Sequence, residues 1–259
     1  MSENKYYDIG VNLFSSQFHE PETVLEEAAS EGIFCILTGS DIEEDRLVNE
    51  FIKTHDAYGT AGIHPHGADA ANDNLMTEIE NIIRNNKKIV AVGECGLDYN
   101  RMFSAVDNQI SCLKAHIKLA EKLGMPMFLH ERDASNDMIQ IFKEHENLCS
   151  KSVIHCFTGD RRTVENYLEM GFYIGITGWI CDDGRAAALR NAVASIPPDR
   201  ILLETDAPYL VPKNVKGLGR VNHPKNIKYV SKTLAEYMEI EESELIKHAA
   251  ENTCRLFNI

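Results

Sequence analysis

Eight times along this chain a short apolar run gives way to a polar or glycine-rich turn and then to a stretch with helical period. The runs cover residues 6–11, 33–38, 58–63, 89–92, 127–129, 152–154, 173–176 and 201–203. Helical signals follow them: Pro21 ahead of Glu-Thr-Val-Leu-Glu-Glu-Ala-Ala, then stretches at 42–52, 75–83, 106–123, 134–145, 161–170, 185–194, 224–238 and 242–250. Eight strands alternating with helices over 259 residues predict a (β/α)8 TIM barrel, α/β in class and a single domain across 1–259. A doubly wound open sheet would carry a glycine-rich phosphate turn after its first strand, and Gly10-Val-Asn12 is not G-x-G-x-x-G. No low-complexity tract or Pro/Gly/Ser-rich linker interrupts the pattern.

Charge and cysteine content narrow the function classes. The 26 basic and 40 acidic side chains leave a net charge of −14, which argues against a broad basic face wrapped around duplex nucleic acid. A phosphate-bearing substrate held locally by a metal ion is compatible with that balance, because the ion is then the dominant nearby charge. The seven cysteines form no CxxC pair, which excludes zinc-ribbon and thioredoxin-like readings and fits a reduced, cytoplasmic setting. The opening Met1-Ser-Glu-Asn-Lys-Tyr-Tyr lacks the apolar core of a signal peptide, and no 18-residue apolar run exists, so no membrane association is expected.

In a (β/α)8 barrel the strand C-terminal ends converge on one face, where such enzymes keep their sites. Asn12, His64, His66, Glu94, His130, His155 and Asp206 all fall at or just past predicted strand ends. Glu94, set where the run at 89–92 turns at Gly93, supplies a carboxylate at the end of a buried strand. With His130 and His155 it forms a donor set for a divalent cation that keeps positions open for water and substrate. Asp206 is placed to complete that set or to take a proton from the attacking water. Any one of these residues alone has an ordinary structural reading, as a capped turn for Asp206 or a hydrogen-bonded core imidazole for a histidine. Their joint placement carries the metal reading.

Four segments in order, Gly93-Glu-Cys-Gly-Leu-Asp98, Leu129-His-Glu-Arg-Asp133, Ile154-His-Cys-Phe-Thr-Gly159 and Glu204-Thr-Asp-Ala-Pro-Tyr209, resemble the signature segments of the TatD-type metal-dependent deoxyribonucleases, which are amidohydrolase-like barrels. The resemblance runs from Asp8-Ile-Gly-Val-Asn12 to Arg220-Val-Asn-His-Pro224 and beyond, nearly the whole chain. It implies that Glu94, His130 and His155 are metal ligands, that Asp206 is a ligand or proton acceptor, and that His64 and His66 lie near the substrate phosphate. It also implies 3′→5′ exonuclease action and a setting in DNA repair. Where most members carry a His-x-His pair at the first strand, this chain has Gly10 and Asn12, as in the TatD branch proper. Two ligands for one of two ions are then absent, and the oxygen-rich side left behind favours Mg²⁺, with Mn²⁺ next and Zn²⁺ least.

Arg132 and Arg220, with Lys213, are candidate phosphate contacts, since guanidinium matches phosphate oxygens in bidentate fashion. Tyr99, Phe157, Trp179 and Tyr209 are candidate stacking partners for unpaired bases. Cys95 and Cys156 are expected to point away from the site. The expected substrate is a single-stranded DNA or RNA end, attacked by a monomer that needs no protein partner. The rival readings are a small-molecule amidohydrolase or lactonase on the same barrel, and a catalytically weakened metal-binding protein.

Overall fold

A run of β-branched and aliphatic residues flanked by glycine and polar turns favours a strand buried on both faces, and each of the eight apolar runs forms one. The computed structural model describes residues 5–259. Met1-Ser-Glu-Asn, part of the segment judged above to lack a leader, lies outside the described residues. The strands are β1 (Tyr6–Val11), β2 (Ile33–Leu37), β3 (Tyr58–Ala61), β4 (Ile89–Asp98), β5 (Met127–Arg132), β6 (Ser152–Ile154), β7 (Tyr173–Ile176) and β8 (Ile201–Leu203). They join in chain order into one eight-stranded sheet, and a parallel bridge links Val11 to Ala207 just beyond β8. The fold is a (β/α)8 barrel.

Among the described residues ten α-helices accompany the strands: α1 (Pro21–Ser30), α2 (Ile42–Thr54), α3 (Asp73–Asn85), α4 (Val106–Leu123), α5 (Ser135–Phe142), α6 (Glu146–Cys149), α7 (Arg161–Met170), α8 (Ala187–Val193), α9 (Ile227–Met238) and α10 (Glu242–Phe257). The helix expected over 134–145 ends at Phe142, the separate short α6 follows beyond it, and the last helix continues past Ala250 to Phe257. None is long and apolar enough to cross a membrane.

Two compact units share the chain: one holds residues up to Ile36 with Cys156–Glu169 and Tyr173–Ile259, the other Leu37–His155 with Met170–Phe172. In the second unit β3, β4, β5 and β6 pair in parallel. Every residue of β4 is buried, as a strand covered on both faces requires. Helix α4 presents Cys112, Leu113, His116, Ile117, Leu119 and Ala120 inward, an i, i+4, i+7 stripe that suits a helix lying on a sheet. Each fully buried leucine or isoleucine there contributes about 2 kcal/mol.

Strand β4 runs six residues further than its apolar stretch suggests. Glycine at 93 marks a turn in the sequence pattern, yet the strand continues through Asp98, with its register shifting against β5 between Val92 and Cys95. Gly93 and Gly96 hold φ values of +140° and +150°, which glycine adopts freely. A Cβ at Gly93 would run into the Phe128 carbonyl oxygen, and one at Gly96 into that of His130. Glycine thus lets β4 press close against β5 while it delivers two carboxylates, Glu94 and Asp98, in one strand.

Candidate metal centre

Register places the parts. Gly96 pairs with His130 and Asp98 with Arg132 across β4 and β5. Glu94 and Asp98 therefore bracket the position opposite His130, and the imidazole lies between them. His130 Nδ1 is 3.0 Å from Glu94 Oε1, while its Nε2 faces Asp98 Oδ2 at 3.4 Å without the alignment of a hydrogen bond. His155, one residue past β6, brings Nε2 to 2.8 Å from the same Glu94 oxygen, and its backbone N–H donates to the Leu129 carbonyl. His64, beyond β3, brings Nε2 to 3.2 Å from Glu94 Oε1 and 3.2 Å from His130 Nδ1. Three imidazoles thus surround one carboxylate oxygen, and the Glu94 backbone N–H is held by the Gly39 carbonyl at 2.7 Å.

Electrostatics follow from this packing. Burial pushes the Glu94 carboxyl up, but His155, His64 and the hydrogen bonds from His130 and His155 overcome it and hold the group well below the usual carboxylate range. His64 is pulled down to about 4, by burial above all, against the attraction of Glu94. For His130 burial lowers the pKa, and the facing Asp98 and Glu94 carboxylates outweigh that and raise it. Burial pushes the Asp98 carboxyl up, but the facing His130, the His66 hydrogen bond and the Arg101 N–H outweigh that and lower it.

A divalent cation fits these residues. The donor atoms of His64, Glu94 and His130 all lie within 4.8 Å of one another, which is compact enough to surround a single ion. Proton accounting then separates the donors. His64 Nδ1 accepts the His66 backbone N–H at 3.1 Å, so in the neutral ring the proton sits on Nε2. An imidazole nitrogen that carries a proton has no lone pair for a metal, so His64 faces the centre as a hydrogen-bond donor. His130 is placed differently: each of its ring nitrogens faces a carboxylate oxygen, Nδ1 that of Glu94 and Nε2 that of Asp98. His155 Nε2 likewise lies against the Glu94 carboxylate.

Other expected residues are distributed as follows. His66 donates through Nε2 to Asp98 Oδ2 at 2.7 Å, and its ring meets that of His64 edge-on at 4.1 Å. Arg132 ends β5, its Nε 4.0 Å from Asp133 Oδ2. Asp206 belongs to the other unit, with left-handed backbone (φ +55°), and accepts Asn12 Nδ2 at 2.9 Å. Arg220 is exposed in that same unit. Lys213 is committed to Asp182 at 2.8 Å, so its candidacy for phosphate weakens. Phe157 is buried and offers no stacking face; the Arg185 guanidinium covers Trp179 at 4.0 Å, and the Tyr99 hydroxyl donates to Asp137 at 2.7 Å. Cys95 is fully buried, its thiol pushed up by that burial.

Two residues escaped the sequence reading. Asp98 holds His66, faces His130, and accepts the Asn100 and Arg101 backbone N–H groups at 2.9 and 2.8 Å. Its signal was a second carboxylate four residues beyond Glu94 in the same segment. His116 of α4 accepts the Ile63 N–H on Nε2 at 3.0 Å and donates from Nδ1 to the Cys112 carbonyl at 2.8 Å, which fixes the backbone leading into His64. Nothing in its local sequence distinguishes it from any histidine on a core-facing helix stripe.

The pattern of the family described as TatD related DNase matches residues 7–258. The chain belongs to that family. The 3′-5′ ssDNA/RNA exonuclease TatD of Klebsiella pneumoniae (strain 342) is 37% identical over 258 residues, covering 98% of both chains. The protein of the same name from Musicola paradisiaca (strain Ech703) is 38% identical over 259 residues, again with 98% of each covered. Among solved structures, a TatD homologue from Escherichia coli K12 superposes with a TM-score of 0.88 at 27% identity, covering 99% of each chain. A TatD family hydrolase from Entamoeba histolytica gives 0.84 at 25% identity, with 98% of each covered. These solved relatives share the (β/α)8 barrel.

Proposed function

We propose that this chain is a metal-dependent nuclease that hydrolyses phosphodiester bonds from the 3′ end of single-stranded DNA, with RNA ends also accepted. The observation that carries the reading is the convergence of His64, His130 and His155 on one buried Glu94 oxygen in a TatD-family chain. We assign Glu94, His130 and His155 as metal ligands, with Asp206 as the fourth ligand and the acceptor of the water proton. Glu94 and Asp206 are the catalytic carboxylates. His64, His66, Arg132 and Arg220 are assigned to substrate.

A divalent cation held there would lower the pKa of a water and offset charge developing on the phosphate. The protein's own part is placement. His64 presents a fixed N–H donor toward the centre, suited to a non-bridging phosphate oxygen. Asp98 holds His66 and sets its charge beside His130 Nε2. Burial of Glu94 keeps competing water from the carboxylate and strengthens each interaction it makes. Arg132 and Arg220 pair with phosphates along the strand.

Mg²⁺ is the ion we propose from the oxygen-rich side left by Gly10 and Asn12. The imidazoles beside Glu94 make Mn²⁺ the natural competitor and Zn²⁺ the third choice. The chain is taken as one hydrolase domain acting as a cytoplasmic monomer without a protein partner, with DNA repair as its setting. The amidohydrolase or lactonase alternative is not favoured: no lysine stands at a strand end to bridge two ions. The experiment is digestion of a 3′-labelled single strand by folded protein with Mg²⁺ or Mn²⁺. Release of the label as a mononucleotide is expected. No release at any metal concentration overturns the reading, as a catalytically weakened metal-binding protein would require.

A further inference from the structure

Beyond β4 the chain turns through Tyr99–Ala105 and leaves Phe103 65% exposed and Met102 47% exposed. An aromatic ring left in water forgoes about 2 kcal/mol of burial, so its surroundings are informative. The loop is anchored at both ends. Asp98 Oδ1 accepts the Asn100 and Arg101 N–H groups at its start. At its end Ser104 is buried, donates through Oγ to the His66 carbonyl at 2.9 Å and accepts the Asp69 N–H at 3.1 Å. Gln109 of α4 ties both ends together, accepting the Asp98 N–H at 2.8 Å and donating to the Ser104 carbonyl at 2.9 Å. The Phe103 ring meets His66 edge-on at 4.7 Å, and His66 in turn meets His64 at 4.1 Å. Two ring contacts therefore separate an open aromatic face from the donor aimed at Glu94.

We infer that Phe103 is a stacking platform for a nucleobase at the 3′ end of the strand, holding the terminal nucleotides while the phosphate beside them meets His64 and His66. This rests on the nuclease reading and goes beyond it by naming what grips the base. Stacking on a π face tolerates every base, so the platform would select an unpaired end rather than a sequence. The ring is presented by a loop already ordered, which spares the strand that part of the ordering cost. The four aromatics expected from sequence to stack do not include it, and of those Phe157 is buried and Trp179 covered by Arg185.

The test uses a single strand ending in 2-aminopurine, joined through a phosphorothioate so that binding is read without cleavage. Wild-type protein should quench the 2-aminopurine on binding. Phe103→Ala should remove the quench and weaken binding about 5- to 150-fold, while Phe103→Trp restores both. On a cleavable strand Phe103→Ala should raise KM with kcat nearly unchanged, and the two proteins should degrade a strand with an abasic 3′ terminus equally. Because the ring is exposed, the alanine variant should fold, and an unchanged Tm checks this. Equal quenching and affinity in wild type and Phe103→Ala overturn the assignment. Wild-type protein that binds and cleaves no strand at all overturns the nuclease reading itself, a result visible before any variant is made.

Discussion

The His66 backbone N–H donates to His64 Nδ1 at 3.1 Å, and this single bond sets where the His64 proton lies. It fixes the Nε2–H tautomer that faces Glu94, so a residue within ligand distance of the centre serves as a donor. Proximity alone would have made His64 a metal ligand.

His64→Gln should therefore lower kcat about 100-fold, the usual cost of removing one preorganised donor to developing charge, while metal affinity measured by isothermal titration stays close to wild type. A collapse of metal affinity in this variant would mean that His64 ligates after all.

Asp98→Asn should act through His130. Replacing the carboxylate with an amide removes the negative charge 3.4 Å from His130 Nε2, and metal affinity should fall about 10- to 100-fold. Titration of the metal alone, with no substrate present, checks this. Unchanged affinity would leave Asp98 as no more than a clamp for Asn100 and Arg101.

How much of this was legible beforehand divides along physical lines. The eight-fold strand recurrence is a pattern of burial, and burial is written directly into residue type, so the barrel and the positions of Glu94, His130 and His155 could be read. The extension of β4 to Asp98 could not, because Gly93 and Gly96 signal turns in most contexts and here serve a close approach to β5. Tautomers, loop anchoring and ring exposure depend on tertiary contacts. That is why His64, Asp98 and Phe103 took their roles only once neighbours were in place.

His116 predicts a pH dependence of stability. Burial lowers its pKa to about 4 from an ordinary value near 6.5, and it accepts the Ile63 N–H only when neutral. Between those two values the unfolded chain binds a proton that the folded chain refuses, so stability is intact above about pH 6.5 and declines as pH falls, levelling off near 4. The loss attributable to this group is about 3 kcal/mol. Urea unfolding of wild type and His116→Gln at a series of pH values should show the decline reduced by that amount in the variant. Equal slopes would remove His116 from the account.

The central claim is that Glu94 anchors a cation on which cleavage from the 3′ end depends. The most direct measurement is digestion of a 5′-labelled single strand across a Mg²⁺ and Mn²⁺ titration, with wild type and Glu94→Gln in parallel and metal binding to each followed by calorimetry. Wild type should bind metal and shorten the strand stepwise from its 3′ end. Glu94→Gln, folded by circular dichroism, should bind no metal at millimolar concentration and leave the strand intact. Stepwise, metal-dependent shortening by Glu94→Gln at the wild-type rate would contradict the account.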